Sequence, residues 1–278
     1  MRRLLVSFSG GRTSAYMAHL IKERLAGEYE LLFVFANTGQ ERLETLDFVR
    51  RCDEHFGLGV VWVEALINAE NGKGTRYRVV SWESASRHGE PFEEMIKKYG
   101  IPNQAYPHCT RELKVAPIHS YVRGVGWADY KTAIGIRADE PNRIGIDPNF
   151  IYPMNDWMID KIDVNNFWES MPFNLDLLEH EGNCSWCWKK SDKKHMMLLK
   201  KTPEIYDFPK KMEGLYGLSG SNVDGNKRVF FRRNRSTQDM INTYNLIATD
   251  GGEQIQLFGD EGGGCSESCE AFGETAKP

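Results

Sequence analysis

Leu4-Leu5-Val6-Ser7-Phe8-Ser9-Gly10-Gly11-Arg12-Thr13-Ser14-Ala15-Tyr16-Met17-Ala18-His19-Leu20-Ile21 is the stretch whose reading decides the fold. Its first three residues are an apolar run of the kind that forms a buried parallel strand. From Ala15 to Ile21 the apolar side chains recur at helical spacing. Between the two lie a pair of glycines flanked by hydroxyl residues. A strand that becomes a helix through such a loop builds an anion site. Glycine lets backbone N–H groups approach closely, Ser9, Thr13 and Ser14 add hydroxyl donors, and the helix N-terminus adds partial positive charge. The expected guest is a phosphate or pyrophosphate. A plain β–α turn with a Ser/Thr cap has the same letters, so the choice falls to the residues downstream. The Gly-Lys-Ser/Thr ending of a Walker A loop is missing.

Past Ile21, strand and helix patterns alternate. Tyr29–Ala36 reads as a second strand, Leu43–Phe56 as an amphipathic helix and 59–64 as a third strand. Residues 76–80 read as a short strand, 91–96 as a helix, and a further helix runs from near Thr110 toward Val122. Tyr130–Ile136 is another apolar strand, ending in Arg137, Asp139, Glu140 and Arg143. This alternation predicts an α/β fold with a doubly wound parallel sheet. In such sheets, ligands meet the polar residues just past the strands' carboxyl ends. From about residue 150 the character changes. We expect an α/β nucleotide-binding domain over 1–150 and a smaller irregular and helical C-terminal region over 151–278. In the latter, helices are expected from Leu175, over 193–200 and over 206–214, and a strand over 227–233.

The chain has 278 residues, 41% of them hydrophobic and 27% charged, enough for a substantial core. A formal charge of −4 argues against non-specific coating of DNA but leaves room for a local basic groove. Arg232, Arg233, Arg235, Lys189, Lys190, Lys193 and Lys194, interleaved with Trp186, Trp188, Phe230 and Phe231, could form one. Solvated basic faces over core aromatics are the alternative. No run approaches the length of a membrane span, and Met1-Arg2-Arg3 leads straight into the first strand; a cytoplasmic protein is expected. Six cysteines then suggest metal or redox chemistry more than disulfides. Cys52, on the helix over 43–56, reads as buried filler. Cys109 sits near a helix start beside Arg111 and Lys114, surroundings that favour a thiolate. Cys184-Ser185-Trp186-Cys187 lets two sulfurs reach one metal from a single turn. Cys265 and Cys269 lie in a Gly-rich tail.

Ser9-Gly10-Gly11-Arg12-Thr13-Ser14 resembles the Ser-Gly-Gly-x-Asp-Ser loop of the PP-loop ATP pyrophosphatases. The resemblance extends to their relatives among the sulfonucleotide reductases, which act on phosphoadenosine phosphosulfate (PAPS) or adenosine phosphosulfate (APS), although the intact Ser-Gly-Gly favours the ATP-type enzymes. Thr13 stands where many of these carry Asp, so a catalytic or metal-binding carboxylate is absent there. Asn37-Thr38-Gly39-x-Glu41-x-x-Glu44-Thr45 resembles the segment after the second strand in those reductases. His108-Cys109-x-x-x-x-Lys114-x-x-Pro117 resembles their Cys-Cys-x-x-x-Lys-x-x-Pro element, with His108 in place of the first cysteine. Gly135-x-Arg137, with Arg143, resembles their phosphate- or sulfonate-binding segment, where Arg gives bidentate hydrogen bonds.

The resemblance implies an adenine nucleotide alpha hydrolase-like fold. It implies nucleotide contacts from Ser7, Ser9, Gly10, Gly11, Arg12, Thr13, Ser14, Asn37, Thr38, Gly39, Glu41, Gly135, Arg137 and Arg143, and catalytic roles for Cys109, Lys114 and Arg137. Cys109, Cys184 and Cys187 are the implied ligands of a 4Fe–4S cluster, with zinc as the alternative. A fourth ligand would come from His108, Cys265, Cys269 or none, and an open iron could hold a substrate sulfur. The tail lacks the Glu-Cys-Gly-x-His of the reductases.

Three functions stand at this point. The first is an enzyme that cleaves ATP between the α and β phosphates, with Mg2+ as a candidate cofactor, and transfers sulfur. The second is a reductase that releases sulfite from PAPS or APS. The third is a non-catalytic nucleotide- or nucleic-acid-binding protein with structural zinc. Expected partners are the adenine nucleotide, a nucleic-acid or small-molecule sulfur acceptor, a thioredoxin-like reductant and a second copy of the chain in a homodimer.

Overall fold

The apolar run at the start forms β1 (Arg2–Ser7), and the glycine pair leads into α1 (Arg12–Leu25). The computed structural model describes residues 1–70, 72–182, 184–220, 225–249 and 271–272; Cys265 and Cys269 lie outside them. After α1 come β2 (Tyr29–Asn37), α2 (Leu43–Phe56), β3 (Val61–Leu66), β4 (Arg76–Val80) and α3 (Glu90–Tyr99). Two short strands, β5 (Lys131–Ala133) and β6 (Phe150–Ile151), complete a six-stranded sheet of order β4-β3-β2-β1-β5-β6.

Every neighbouring pair is parallel except β3 and β4. The expected α/β sheet is therefore present, with one antiparallel edge. Its strands are buried on both faces. Leu4, Val6, Phe33 and Phe35 join the helices α1 and α2 in one core, while Leu5, Val34 and Val63 join Ile118 and Val122 in another. Continuous apolar runs are what a sheet covered on both sides requires. The edge strand β4 is half exposed and carries Arg76 and Arg78, charges that discourage pairing with another chain.

Between β4 and β5 runs one continuous helical segment: α4 (His108–Thr110), a π-helical turn (Arg111–Val115) and α5 (Ala116–Gly124). Pro117 explains the turn. It has no N–H to donate, and its ring would strike the carbonyl four residues back. The ladder widens, and the Ala116 N–H bonds to the Arg111 carbonyl instead. Such turns are frequent at functional sites.

Beyond β6, α6 (Pro153–Asp156) and α7 (Lys161–Ser170) return to the sheet. Trp168 packs edge-on against Phe48, ring centroids 4.8 Å apart, and its indole N–H donates to the Arg12 carbonyl at 2.9 Å. A further core gathers α3 with α8 (Asp192–Lys201), α9 (Asp207–Tyr216) and α10 (Thr237–Thr249) around Trp186, Trp188, Phe230 and Phe231. The cores do not divide at residue 150: α7 belongs with the sheet, and α3 belongs with the later helices.

Three local expectations need correction. Residues 227–233 form no strand, because Phe230 and Phe231 are adjacent and both buried in the helical core, which strand alternation forbids. Instead Phe231 and Arg235 exchange backbone hydrogen bonds around a tight turn (3.1 and 3.3 Å). No helix starts at Leu175, since the carbonyls of Leu175 and Leu177 accept from the Arg12 side chain. The fourth parallel strand stops at Ala133 because the chain turns at Gly135, where the Ile136 N–H bonds to the Ile134 carbonyl at 2.9 Å. The interleaved aromatics are core, and Lys189 and Lys190 are buried with them, so these residues build no basic aromatic surface. Cys52 is fully buried, as expected of filler.

His195 gives the fold a pH dependence. It is buried in the helical core with Nδ1 2.7 Å from the Tyr206 hydroxyl. Burial first, then the charges of Lys190, Arg235 and Arg232, push its pKa well below the usual imidazole value. The folded state keeps it neutral, whereas the unfolded chain takes up a proton near pH ~6.5. Stability is thus fully present above about pH 6.5 and declines as pH falls below it. His19, His108, His119 and His180 are lowered in the same direction, so the comparison must be with a variant. Urea midpoints should fall between about pH 7.5 and about pH 5.5, less steeply in His195→Gln. Parallel curves for the two proteins would contradict this account.

Candidate active site

The strand order reverses at β1, with β2 on one side and β5 on the other. The crevice beyond the carboxyl ends of such strands is where open α/β sheets bind ligands. Two loops meet there. One is the β1–α1 loop. Gly10 adopts φ +84°, a left-handed conformation that L side chains rarely take, and Gly11 caps α1 in extended backbone. Ala15 N–H begins the helical ladder on the Gly11 carbonyl (3.0 Å). The amides of Arg12, Thr13 and Ser14 precede that ladder, as donors that a helix N-terminus offers to an anion.

The hydroxyls divide their work. Ser14 Oγ donates to the Gly11 carbonyl (3.0 Å) and accepts from both the amide and the hydroxyl of Ser9 (3.2 and 2.8 Å). It therefore holds the loop closed, and Ser7 lies buried at the strand end. The Arg12 side chain turns away to the C-terminal region, so what Arg12 offers the loop is its backbone amide. Its guanidinium donates to Asn174 Oδ1 (2.8 Å) and to the carbonyls of Leu175 and Leu177, clamping the C-terminal region onto the loop.

The other loop follows β5. Arg137 is buried and reaches Thr13 Oγ1 at 3.3 Å across the switch point. It also pairs with Asp139 (2.9 Å) and Glu140 (3.6 Å), while Arg143 pairs with Glu140. The Arg137 hydrogen bond holds the Asp139 carboxyl below its usual pKa. Gly135 makes the turn that brings Arg137 to this position. A guanidinium thus stands beside the β1–α1 loop, against the Thr13 hydroxyl.

The segment after β2 forms a second part of the same sheet edge. Thr38 donates its backbone N–H and its hydroxyl to the Glu41 carboxylate at 2.9 Å. The Gly39 N–H donates to Asn37 Oδ1 (3.1 Å), and Gly39 itself sits at φ +79°. The Cys-x-x-Cys turn docks on this segment. The Ser185 N–H donates to the Gln40 carbonyl (2.9 Å), and the Trp186 indole N–H to Gln40 Oε1 (2.6 Å). Cys184 Sγ lies 3.5 Å from Thr38 Oγ1 and 3.9 Å from Glu41 Oε1. Lys190, buried behind the turn, donates to the carbonyls of Gly182 (2.8 Å) and Cys184 (3.0 Å). Gln40 carried no signal in the sequence beyond its nearness to a motif, and Lys190 carried only that of a basic surface.

Cys109, Cys184 and Cys187 line one cavity, together with Thr38, Thr110, Lys114 and Lys189. The three sulfurs expected to act together are thus brought to one place, with two buried lysines among them. Burial above all, then the Glu41 carboxylate, push the Cys184 thiol well above its usual pKa, against the pull of Lys114. Soft donors of this kind suit iron–sulfur clusters or zinc, and lysines would offset the charge of bound thiolates. The free volume of about 20 Å³, however, is room for about one water. Among the described residues, no three His, Cys, Asp or Glu side chains form a group that could hold a metal ion. The donor chemistry fits a soft metal; the described arrangement alone does not complete its site. His108, weighed as a further ligand, lies with Nε2 2.9 Å from the Gly100 carbonyl, to which it can only donate. Cys265 and Cys269 fall outside the described residues.

Comparison with known proteins gives three findings. Residues 3–87 match the phosphoadenosine phosphosulfate reductase domain, a span that holds the β1–α1 loop and the 37–41 segment but none of the three cavity cysteines. The chain is 33% identical over 285 residues to the uncharacterized nin region protein ORF290 of Escherichia phage lambda, covering 97% of this chain and 95% of that protein. The uncharacterized proteins MJ0066 and MJ0973 of Methanocaldococcus jannaschii are 28% and 26% identical over 137 and 117 residues. Those two matches cover 49% and 42% of this chain but only 23% and 22% of the archaeal proteins. Among the described residues no helix is long and apolar enough to cross a membrane.

Proposed function

Because the chain belongs to the phosphoadenosine phosphosulfate reductase domain family, a PP-loop family that binds adenine nucleotides, we propose that it is an enzyme of sulfur chemistry. It binds ATP at the switch point, cleaves the α–β phosphate bond to activate an acceptor, and transfers sulfur at the thiol cavity. The phosphates lie against the amides of the β1–α1 loop. Arg137 and Arg143 offset charge on the phosphate oxygens as pyrophosphate leaves. A guanidinium beside the loop, with Thr13 rather than a carboxylate within it, favours a bound polyanion.

The observation that carries this reading is the docking of the Cys-x-x-Cys turn on residues 38–41, immediately beside β1. One sheet edge then carries an anion cradle and a pocket of thiols a single strand apart. A 4Fe–4S cluster, or zinc, on Cys109, Cys184 and Cys187 would supply a soft site for the sulfur atom. Lys114 and Lys189 would balance its charge.

The test gives the anaerobically purified full chain ATP, PAPS or APS separately under reducing conditions. Pyrophosphate released from ATP is the expected result. Sulfite released from PAPS or APS would make the chain a reductase, and failure to bind any of the three would overturn the nucleotide reading. Metal analysis of the same preparation decides the cofactor, with iron and sulfide expected and stoichiometric zinc removing the cluster.

A further inference from the structure

A second, wider cavity lies against the thiol cavity, and the nucleotide reading leaves it without an occupant. It measures about 460 Å³ and is lined by Tyr106, Pro107, His108, Thr110 and Arg111, among others. That volume lies within the range of small-molecule pockets. Thr110 lines both cavities, and its hydroxyl accepts from Lys189 Nζ at 3.3 Å. Thr110 is thus a wall common to the wider cavity and to the one that the sulfurs line.

Its walls have a definite chemistry. Tyr106 is 42% exposed, yet it is held firmly. Asn103 Oδ1 accepts from the amides of Ala105 (3.0 Å) and Tyr106 (3.1 Å), and its Nδ2 donates to the Val229 carbonyl (2.9 Å). The Arg228 guanidinium covers one face of the ring at 3.9 Å from the centroid while Nη1 donates to the Tyr99 carbonyl (3.1 Å). A fixed aromatic ring with one face covered and the residue still open to solvent is a stacking platform. Arg111 uses Nε on Glu112 Oε1 (2.7 Å), its side chain is 66% exposed, and it lines the cavity. Arg111 also begins the π-helical turn, which widens the helix at this wall.

An aromatic platform beside an exposed guanidinium suits a planar ring that carries an anionic group. We infer that this cavity is the acceptor subsite and takes a nucleobase bearing a phosphate, whether in a free nucleotide or in a single-stranded nucleic acid. The inference rests on the proposed function for the role of acceptor, and on the cavity alone for its ligand.

The experiment uses the full chain without added ATP, because ATP itself bears a nucleobase and phosphates and would compete for the cavity in excess, and repeats each measurement with ATP at a concentration that just saturates its binding. Fluorescein-labelled single-stranded RNA and DNA decamers are titrated by anisotropy and pyrimidine mononucleotides by calorimetry. Tyr106→Ala should weaken binding about tenfold or more, the usual effect of removing a stacking ring. Tyr106→Phe should retain it. Arg111→Glu should weaken binding and flatten its salt dependence. Neither exposed substitution should change ATP affinity. Mononucleotide binding as tight as that of the decamers identifies a free nucleotide, and decamer binding alone identifies nucleic acid. Wild-type affinity in Tyr106→Ala, or no binding of any probe by the wild type, overturns the inference. Loss of ATP binding with the decamers still bound would instead remove the nucleotide reading of the switch point and leave this cavity's ligand standing.

Discussion

Gly10→Ala should abolish ATP binding and lower stability by about 2–5 kcal/mol. Two costs add. Gly10 sits at φ +84°, where an alanine loses roughly 1–2 kcal/mol. Its new Cβ would also lie 2.8 Å from Thr45 Cγ2, 3.2 Å from Phe35 Cε2 and 3.3 Å from Val49 Cγ2. Those side chains are buried in the core between β2 and α2, so they cannot give way without moving the helix; overpacking of this kind costs about 1–3 kcal/mol. The loop relaxes instead, and its amides leave the arrangement that faces the phosphate.

Because a folding defect alone could remove binding, Gly11→Ala separates the two effects. Gly11 has φ −96° and ψ 163°, extended backbone that alanine adopts without strain. Its stability should stay within about 1 kcal/mol of wild type, while a methyl group intrudes where the phosphate must approach. Urea denaturation and calorimetric titration with ATP measure both variants. Wild-type stability in Gly10→Ala would contradict the packing. Wild-type ATP affinity in Gly11→Ala would remove the phosphate cradle.

What the sequence made legible was local. The β1–loop–α1 unit, the two strands after it and the helix at 43–56 are each set by contiguous residues, whose period and glycines announce them. The ligand-facing edge was legible for the same reason, since every polar motif follows an apolar run. Partners across the chain were not. Residue 12 occupies the variable position of its motif, and nothing near it says that Asn174 and the carbonyls of Leu175 and Leu177 will take its guanidinium. Ser14 has the composition of a phosphate donor, yet its hydroxyl is used up inside the loop. The grouping of Cys109 with Cys184 and Cys187 followed from resemblance rather than spacing, because tertiary docking on Gln40 and Thr38 brings them together. Phe230-Phe231 carried β propensity without alternation, and the helical core claimed both. Glu64 drew no notice, as one carboxylate in Val61-Trp62-Val63-Glu64-Ala65.

Glu64→Ala should cost about 3–5 kcal/mol, within the range for two buried donors left unmet at about 1–3 kcal/mol each. Glu64 is fully buried within β3, paired in register with Asn37 at the end of β2. Its Oε1 accepts from Asn37 Nδ2 and from the Ser86 N–H, both at 2.6 Å. Its Oε2 accepts from Arg78 Nε and from Ser86 Oγ, both at 2.9 Å. Alanine would leave the buried Ser86 N–H and one of the two Asn37 Nδ2 hydrogens without an acceptor, the other Asn37 hydrogen keeping the Ser86 carbonyl (2.9 Å), and an unmet buried donor costs about 1–3 kcal/mol.

Arg78 is 49% exposed and can turn to water, so the loss falls on the β2 end. Asn37 also accepts from the Gly39 N–H, which begins the segment on which the Cys-x-x-Cys turn docks. Loosening Asn37 therefore loosens the seat of Cys184. Glu64→Gln keeps the volume and the Oε1 acceptor but opposes an amide N–H to Arg78, so it should cost less, about 2 kcal/mol. Solvent exchange at the Gly39 and Ser185 amides, read by hydrogen exchange, should rise in both variants, more in Ala than in Gln. Were Glu64→Ala to cost under about 1 kcal/mol, or were those two amides to exchange at the wild-type rate, Glu64 could not be what fixes the strand end beneath the thiols.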